Sequence, residues 1–122
     1  MANTVTLKSY LHDLNALLER YASTEVVSHC RYILQRFPQN VATYRLLGKA
    51  LLQKAQQEGT EQYYHEAAEV FQRVLSVLPN DYVAHIGLSE LRAEQGALEQ
   101  AIWHMERAYE QQPNNPALQD AL

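Results

Sequence analysis

Glu61, His65 and Glu69 stand at steps of four, the spacing that brings three metal-ligating side chains onto one face of a helix. An exposed helix carries such a stripe more often as solvated charge, so no metal is expected there. His29 and Cys30 are neighbours, but adjacent helical residues point about 100° apart and cannot grip one ion together. Among the other three of the five histidines, His85 occupies a position suited to a packed ring, while His12 and His104 have no obvious partner. The chain has no HExxH, no CxxC, no glycine-rich phosphate loop and no serine elbow. The expectation is a protein that is not an enzyme and needs no metal or cofactor.

Composition narrows the class. The 122 residues are 47 % hydrophobic and 20 % charged, enough for one globular core. The formal net charge is −4, with no run of lysines or arginines, so a phosphate backbone has no concentrated basic face to meet and nucleic acid is not an expected partner. The single cysteine excludes an internal disulfide and suits a reducing compartment. No apolar stretch has the length of a signal peptide or a membrane span. A soluble, cytoplasmic protein is expected, with no membrane partner.

The elements that must position any site are helices. Leu7, Leu11, Leu14, Leu18 and Tyr21 recur at steps of three and four, as do Val26, Cys30, Ile33 and Phe37. Further stripes run through Leu47, Leu51 and Ala55, then Ala67, Phe71, Val74 and Leu78. Leu88 and Leu91 carry a fifth, and Ala101, Met105, Ala108 and Tyr109 a sixth. Short breakers, AST at 22–24, EGT at 58–60 and EQG at 94–96, alternate with three proline phrases. Pro38, Pro79 and Pro113 end helices, and Asn40, Asp81 and Asn115 stand where an N-cap side chain accepts the next helix's free amides. Pro79 to Pro113 is 34 residues, Pro38 to Pro79 is 41, and 34 before Asn40 stands Thr6, another cap.

Tyr44, Leu47-Gly48, Leu51, Ala67, Phe71 and Pro79 follow one pattern, repeated as His85, Leu88-Ser89, Arg92, Ala101, Met105 and Pro113. A looser copy reads Tyr10, Asp13-Leu14, Leu17, Val26, Cys30 and Pro38, and GALEQA at 96–101 forms a turn into a second helix. With its 34-residue period this pattern resembles the tetratricopeptide repeat family. The resemblance implies an all-α fold of three antiparallel helix pairs stacked as a right-handed superhelix, in a single domain spanning 1–122. The units are expected at about 6–39, 40–80 and 81–114, with a short C-terminal helical stub over 116–122. The seven extra residues fall between Leu51 and Ala67. Seven residues are two helical turns, so one added turn in each helix lengthens the second pair while keeping its faces in phase. Cys30 aligns with Phe71 and Met105 and is expected to be buried.

In that family the first helices of successive pairs line a concave groove that takes a peptide or helix of a partner protein. Carried onto this chain, the groove would hold Lys8, Leu11, Asn15 and Ala42, then Arg45, Lys49 and Leu52, then Val83, Ile86 and Glu90. Lys8, Arg45 and Lys49 would make it basic and suit an acidic segment; plain solvated charge is the alternative. One subfamily clamps a terminal carboxylate, but of the matching positions Leu11, Asn15, Leu46, Val83 and Gly87 only Asn15 agrees, so that clamp is not expected. Trp103 aligns with Glu69 and Ser28, positions that face water, and so is either half-covered by neighbours or part of an interface. Tyr63 and Tyr64, near the tip of the long hairpin, are a second candidate contact unless they pack between its helices. The alternative to groove binding is self-assembly, either with another copy or within a longer array.

Overall fold

The computed structural model describes residues 6–116, and the expected stub lies, beyond Pro116, outside the described residues. The six helices are α1 (Leu7–Glu19), α2 (Ser23–Arg36), α3 (Val41–Glu58), α4 (Glu61–Val77), α5 (Tyr82–Glu94) and α6 (Leu98–Gln111). The three expected starts that fall within the described helices each have their cap. Thr6 accepts from the Ser9 amide and Ser9 Oγ accepts from the Thr6 amide, while Asn40 accepts from Thr43 and Asp81 from Ala84. These bonds satisfy amides that the first turn leaves free.

Contacts follow the repeat. α1 packs on α2, α3 on α4 and α5 on α6; α2 also meets α3, and α4 meets α5. The first helices lie side by side, since α3 touches both α1 and α5. One core runs through the chain, from Leu14 and Val26 by way of Cys30, Leu51 and Phe71 to Leu88 and Leu91. Cys30 is fully buried, as expected, and loss of water pushes its thiol up to about 12.

The aromatic slot of the pattern has a polar function as well. Tyr44 Oη donates to the Pro38 carbonyl at 2.8 Å, and His85 Nε2 lies 2.9 Å from the Pro79 carbonyl, the same position one unit on. A carbonyl can only accept, so Nε2 carries the proton of His85 and Nδ1 of the neutral ring accepts. That Nδ1 faces His104 Nδ1 at 3.0 Å. His104, expected to have no partner, therefore has one, because α6 returns antiparallel to α5 and brings the two rings together.

Burial, then any positive charge on His85, then Arg92, lower the His104 pKa to about 4 from the usual 6.5. The folded chain thus holds fewer protons than the unfolded one between those values. Stability is full above about pH 6.5 and falls toward pH 4, by about 2–3 kcal/mol from this ring. Denaturant unfolding at several pH values checks this. In His104→Gln the loss between pH 6.5 and 4 is smaller by that amount.

The lengthened pair has 18 and 17 residues against 13 or 14 in the other helices. Gly59 closes α3 at φ 65°, a left-handed cap that glycine takes without strain, and two residues suffice for the turn. The added turn reaches both neighbouring turns. Gln53 Nε2 donates to the Leu18 carbonyl at 2.9 Å and Gln57 Nε2 to the Tyr21 carbonyl at 3.0 Å. On the other side Gln56 Nε2 donates to Glu94 at 2.6 Å and Gln95 Nε2 to Glu61 at 3.0 Å. Tyr21 itself stands at φ 63°, where glycine stands in the third unit as Gly96, so the Gln57 bond steadies a strained residue.

Candidate protein-binding groove

Phe71 of α4 is fully buried, and its ring slides between two glycines of neighbouring helices. A Cβ built on Gly48 of α3 would stand 2.6 Å from the ring, and one on Gly87 of α5 closer still. Only glycine admits this approach. Because Gly87 has no side chain, the surface above the ring is hollow. A cavity of about 420 Å³ opens there between α3 and α5, on the side formed by the first helices.

Leu18, Leu52, Phe71 and Gly87 line its buried part, with Val83 and Ile86 half-buried beside them. Lys49, Gln56, Tyr82 and Glu90 are exposed at the rim. Loss of water against these walls, then the Glu94 charge, raises the Glu90 carboxyl above the usual range, with Lys49 acting against them. Gln53 lines the cavity too, and its Oε1 is buried without a donor among the described residues.

The expected groove residues divide. Lys49, Leu52, Ile86 and Glu90 line this cavity, with Leu52 as buried wall rather than exposed contact. Asn15 lines a shallower hollow of about 380 Å³ that shares Lys49 and Gln53, and its own Nδ2 donates to the Leu11 carbonyl at 3.0 Å. Lys8 is exposed and Leu11 half-buried on α1, outside both hollows.

Arg45 corrects the picture of a basic groove. Its Nε donates to Asp81 Oδ1 at 2.9 Å and its Nη2 to the same oxygen, so its charge is already paired with the cap of α5. With Lys49 beside Glu90, the groove presents a mixed rim around an apolar hollow.

Elsewhere, Trp103 is 51 % exposed, with Arg107 over its ring and His104 against its edge. Tyr63 and Tyr64 are half-buried against the core, Tyr63 beneath Lys54. The acidic-histidine stripe is taken up locally: Glu61 accepts from Gln95, and His65 pairs with Glu69 at 3.1 Å in the open. Among the described residues no group of three or more His, Cys, Asp or Glu side chains is placed to hold a metal ion. No helix among them is long and apolar enough to cross a membrane.

Two features escaped the pattern of residue types. Gly87 was compared only with a clamp position, although a glycine in the middle of a helix is itself a signal of close approach. The other is a bare stripe on α6, where Leu98 is 61 % and Ile102 56 % exposed, continued by half-buried Met105 and Tyr109. One unit back the same positions are Tyr64, Ala68, Phe71 and Leu75, and two units back Ser23, Val27, Cys30 and Leu34; of these, Ala68, Phe71, Ser23, Val27 and Cys30 are buried, and Tyr64, Leu75 and Leu34 are half-buried against the core.

The tetratricopeptide repeat family model matches residues 60–122, and the chain belongs to that family. The family is an interaction fold, typically non-enzymatic. No curated protein matches the chain.

Proposed function

We propose that the chain is a non-catalytic protein-interaction module that holds a peptide or helix of a partner protein in the hollow between α3 and α5. The observation that carries this is the cavity over Phe71: an apolar recess open at the surface, with polar groups confined mostly to its rim. Binding there makes and breaks no covalent bond. The three units act as one domain, and a cytoplasmic setting belongs to the same reading. Ile86→Glu places a charge on the wall of the cavity, outside the core cluster. Peptides selected on the native chain should bind this variant at least about tenfold more weakly, with far-ultraviolet circular dichroism unchanged. Equal binding by the two would move the site off the groove.

A second reading rests on the α6 stripe: two copies of the chain associate through Leu98, Ile102, Met105 and Tyr109. The matching face of α1 is polar, with Ser9, His12, Asp13 and Ala16 exposed where α5 buries Ala84, Gly87, Leu88 and Leu91. Head-to-tail stacking would bury that polar face, so copies meet α6 to α6 about a two-fold axis. Light scattering behind size exclusion tests it over a roughly hundredfold dilution. A dimer dispersed by Ile102→Asp supports this face, and one dispersed by Trp103→Asp alone moves it around the helix. A monomer throughout removes the reading.

A further inference from the structure

A second hollow lies apart from the groove and shares no lining residue with it. It holds about 280 Å³ and sits between the turn joining α2 to α3 and the last two turns of α4. Pro38, Tyr44, Val74 and Val77 wall it, and Arg73 is the charged residue among those that line it. We propose that this hollow is a second interaction surface, taking an aliphatic side chain of a partner protein's segment and pairing Arg73 with an aspartate or glutamate beside that side chain. The volume falls below the range of about 300–1,000 Å³ typical of small-molecule sites, so it suits a single side chain better than a cofactor.

Val77 carries the apolar half of the argument. It is 63 % exposed, and Leu78 next to it and Phe37 next to Pro38 are exposed as well. Two residues before Pro38 and Pro113 the same position holds Arg36 and Gln111, side chains at home in water, so the repeat itself asks for no valine there. Tyr44 Oη is committed to the Pro38 carbonyl and asks no hydrogen bond of an entering group, which favours an aliphatic one.

Arg73 carries the charged half. Its guanidinium carbon stands 4.8 Å from the centre of the Tyr44 ring, which holds it at the wall. Glu69, one turn before it on α4, lies against His65, and no carboxylate among the described residues pairs with Arg73. Arg36, at the end of α2 beside the same turn, lies over Tyr32 and is equally unpaired with any carboxylate among them. No carboxylate lines this hollow, whereas in the groove Lys49 meets Glu90. A carboxylate at the edge of the guanidinium finds free N–H donors, while a lysine or arginine meets like charge. With a net charge of −4 on the chain, two arginines make a poor seat for a phosphate backbone.

The test uses short random peptides displayed on phage and selected on the whole chain. One class should resist Ile86→Glu, which alters the groove, and lose at least about tenfold in affinity on Val77→Asp, which charges the apolar wall and repels an acidic segment. In that class leucine, isoleucine, valine or methionine should recur with aspartate or glutamate next to it or one residue away. Arg73→Gln should weaken these peptides roughly tenfold and Arg73→Lys less, because lysine keeps the charge but not the fork. If Arg73→Gln does not fold, replacing the peptide's carboxylate by its amide on the native chain decides. Val77-sensitive peptides without an acidic residue, or whose affinity neither substitution changes, overturn the proposal. So does the absence of any Val77-sensitive peptide, and so does self-association dispersed by Val77→Asp, which would make the occupant a second copy. The groove is judged separately, by the peptides lost on Ile86→Glu.

Discussion

Phe71→Ala should lower the unfolding free energy by about 3–5 kcal/mol, near the top of the range for a buried ring. The ring is fully buried, and two of the residues packed against it are glycines. Glycine has no side chain that can swing into the vacated space, so the cavity collapses poorly and more of the lost contact remains lost. The same geometry makes a second measurement diagnostic. Gly87→Ala in the native background should cost about 1–3 kcal/mol, because its new Cβ has no room beside the ring. With Phe71→Ala already made, the sign should reverse, since alanine in a helix is favoured over glycine by about 1 kcal/mol. Denaturant titrations of the four proteins provide the cycle. Additive effects would mean that the ring and the glycine are not packed together.

Asp81→Ala should cost about 2–3 kcal/mol, a large effect for one residue at a helix end. Its carboxylate, largely buried, does two things at once. Oδ2 accepts the Ala84 amide at 3.0 Å and starts α5, while Oδ1 receives Nε and Nη2 of Arg45 from α3. Truncation leaves an orphan amide and a half-buried guanidinium together. Asp81→Asn keeps the cap and weakens the ion pair, so its cost should be about half. Thermal unfolding of both variants checks the order. An equal cost for the two would assign the whole effect to the charge.

The caps show what a sequence reading reaches. Thr6, Asn40 and Asp81 could be placed because a cap is a bond between a side chain and a backbone amide three residues away. The seven-residue insertion was equally legible, since two whole turns keep a helix pair in phase and any other length would not. Cys30 was placed in the core by its alignment with Phe71, and it is there.

What the sequence reading missed has one origin. Arg45 was assigned to a basic groove because nothing local claimed its charge; its partner stands 36 residues on, across a helix pair. His104 was left alone for the same reason, with His85 brought to it only by the return of α6. Trp103, expected to be half-covered or part of an interface, is 51 % exposed beneath Arg107 and beside His104, while Leu98 and Ile102 on the same helix are exposed as well.

By itself, then, the sequence determined the helices, their caps, their apolar faces and the repeat, because each depends on residues within a turn or two of one another. The tertiary structure decided which charges are paired, where glycine leaves a hollow, and which apolar side chains of the described residues are exposed. Those are properties of distances between helices, and such distances follow from how rings and glycines fit across the core.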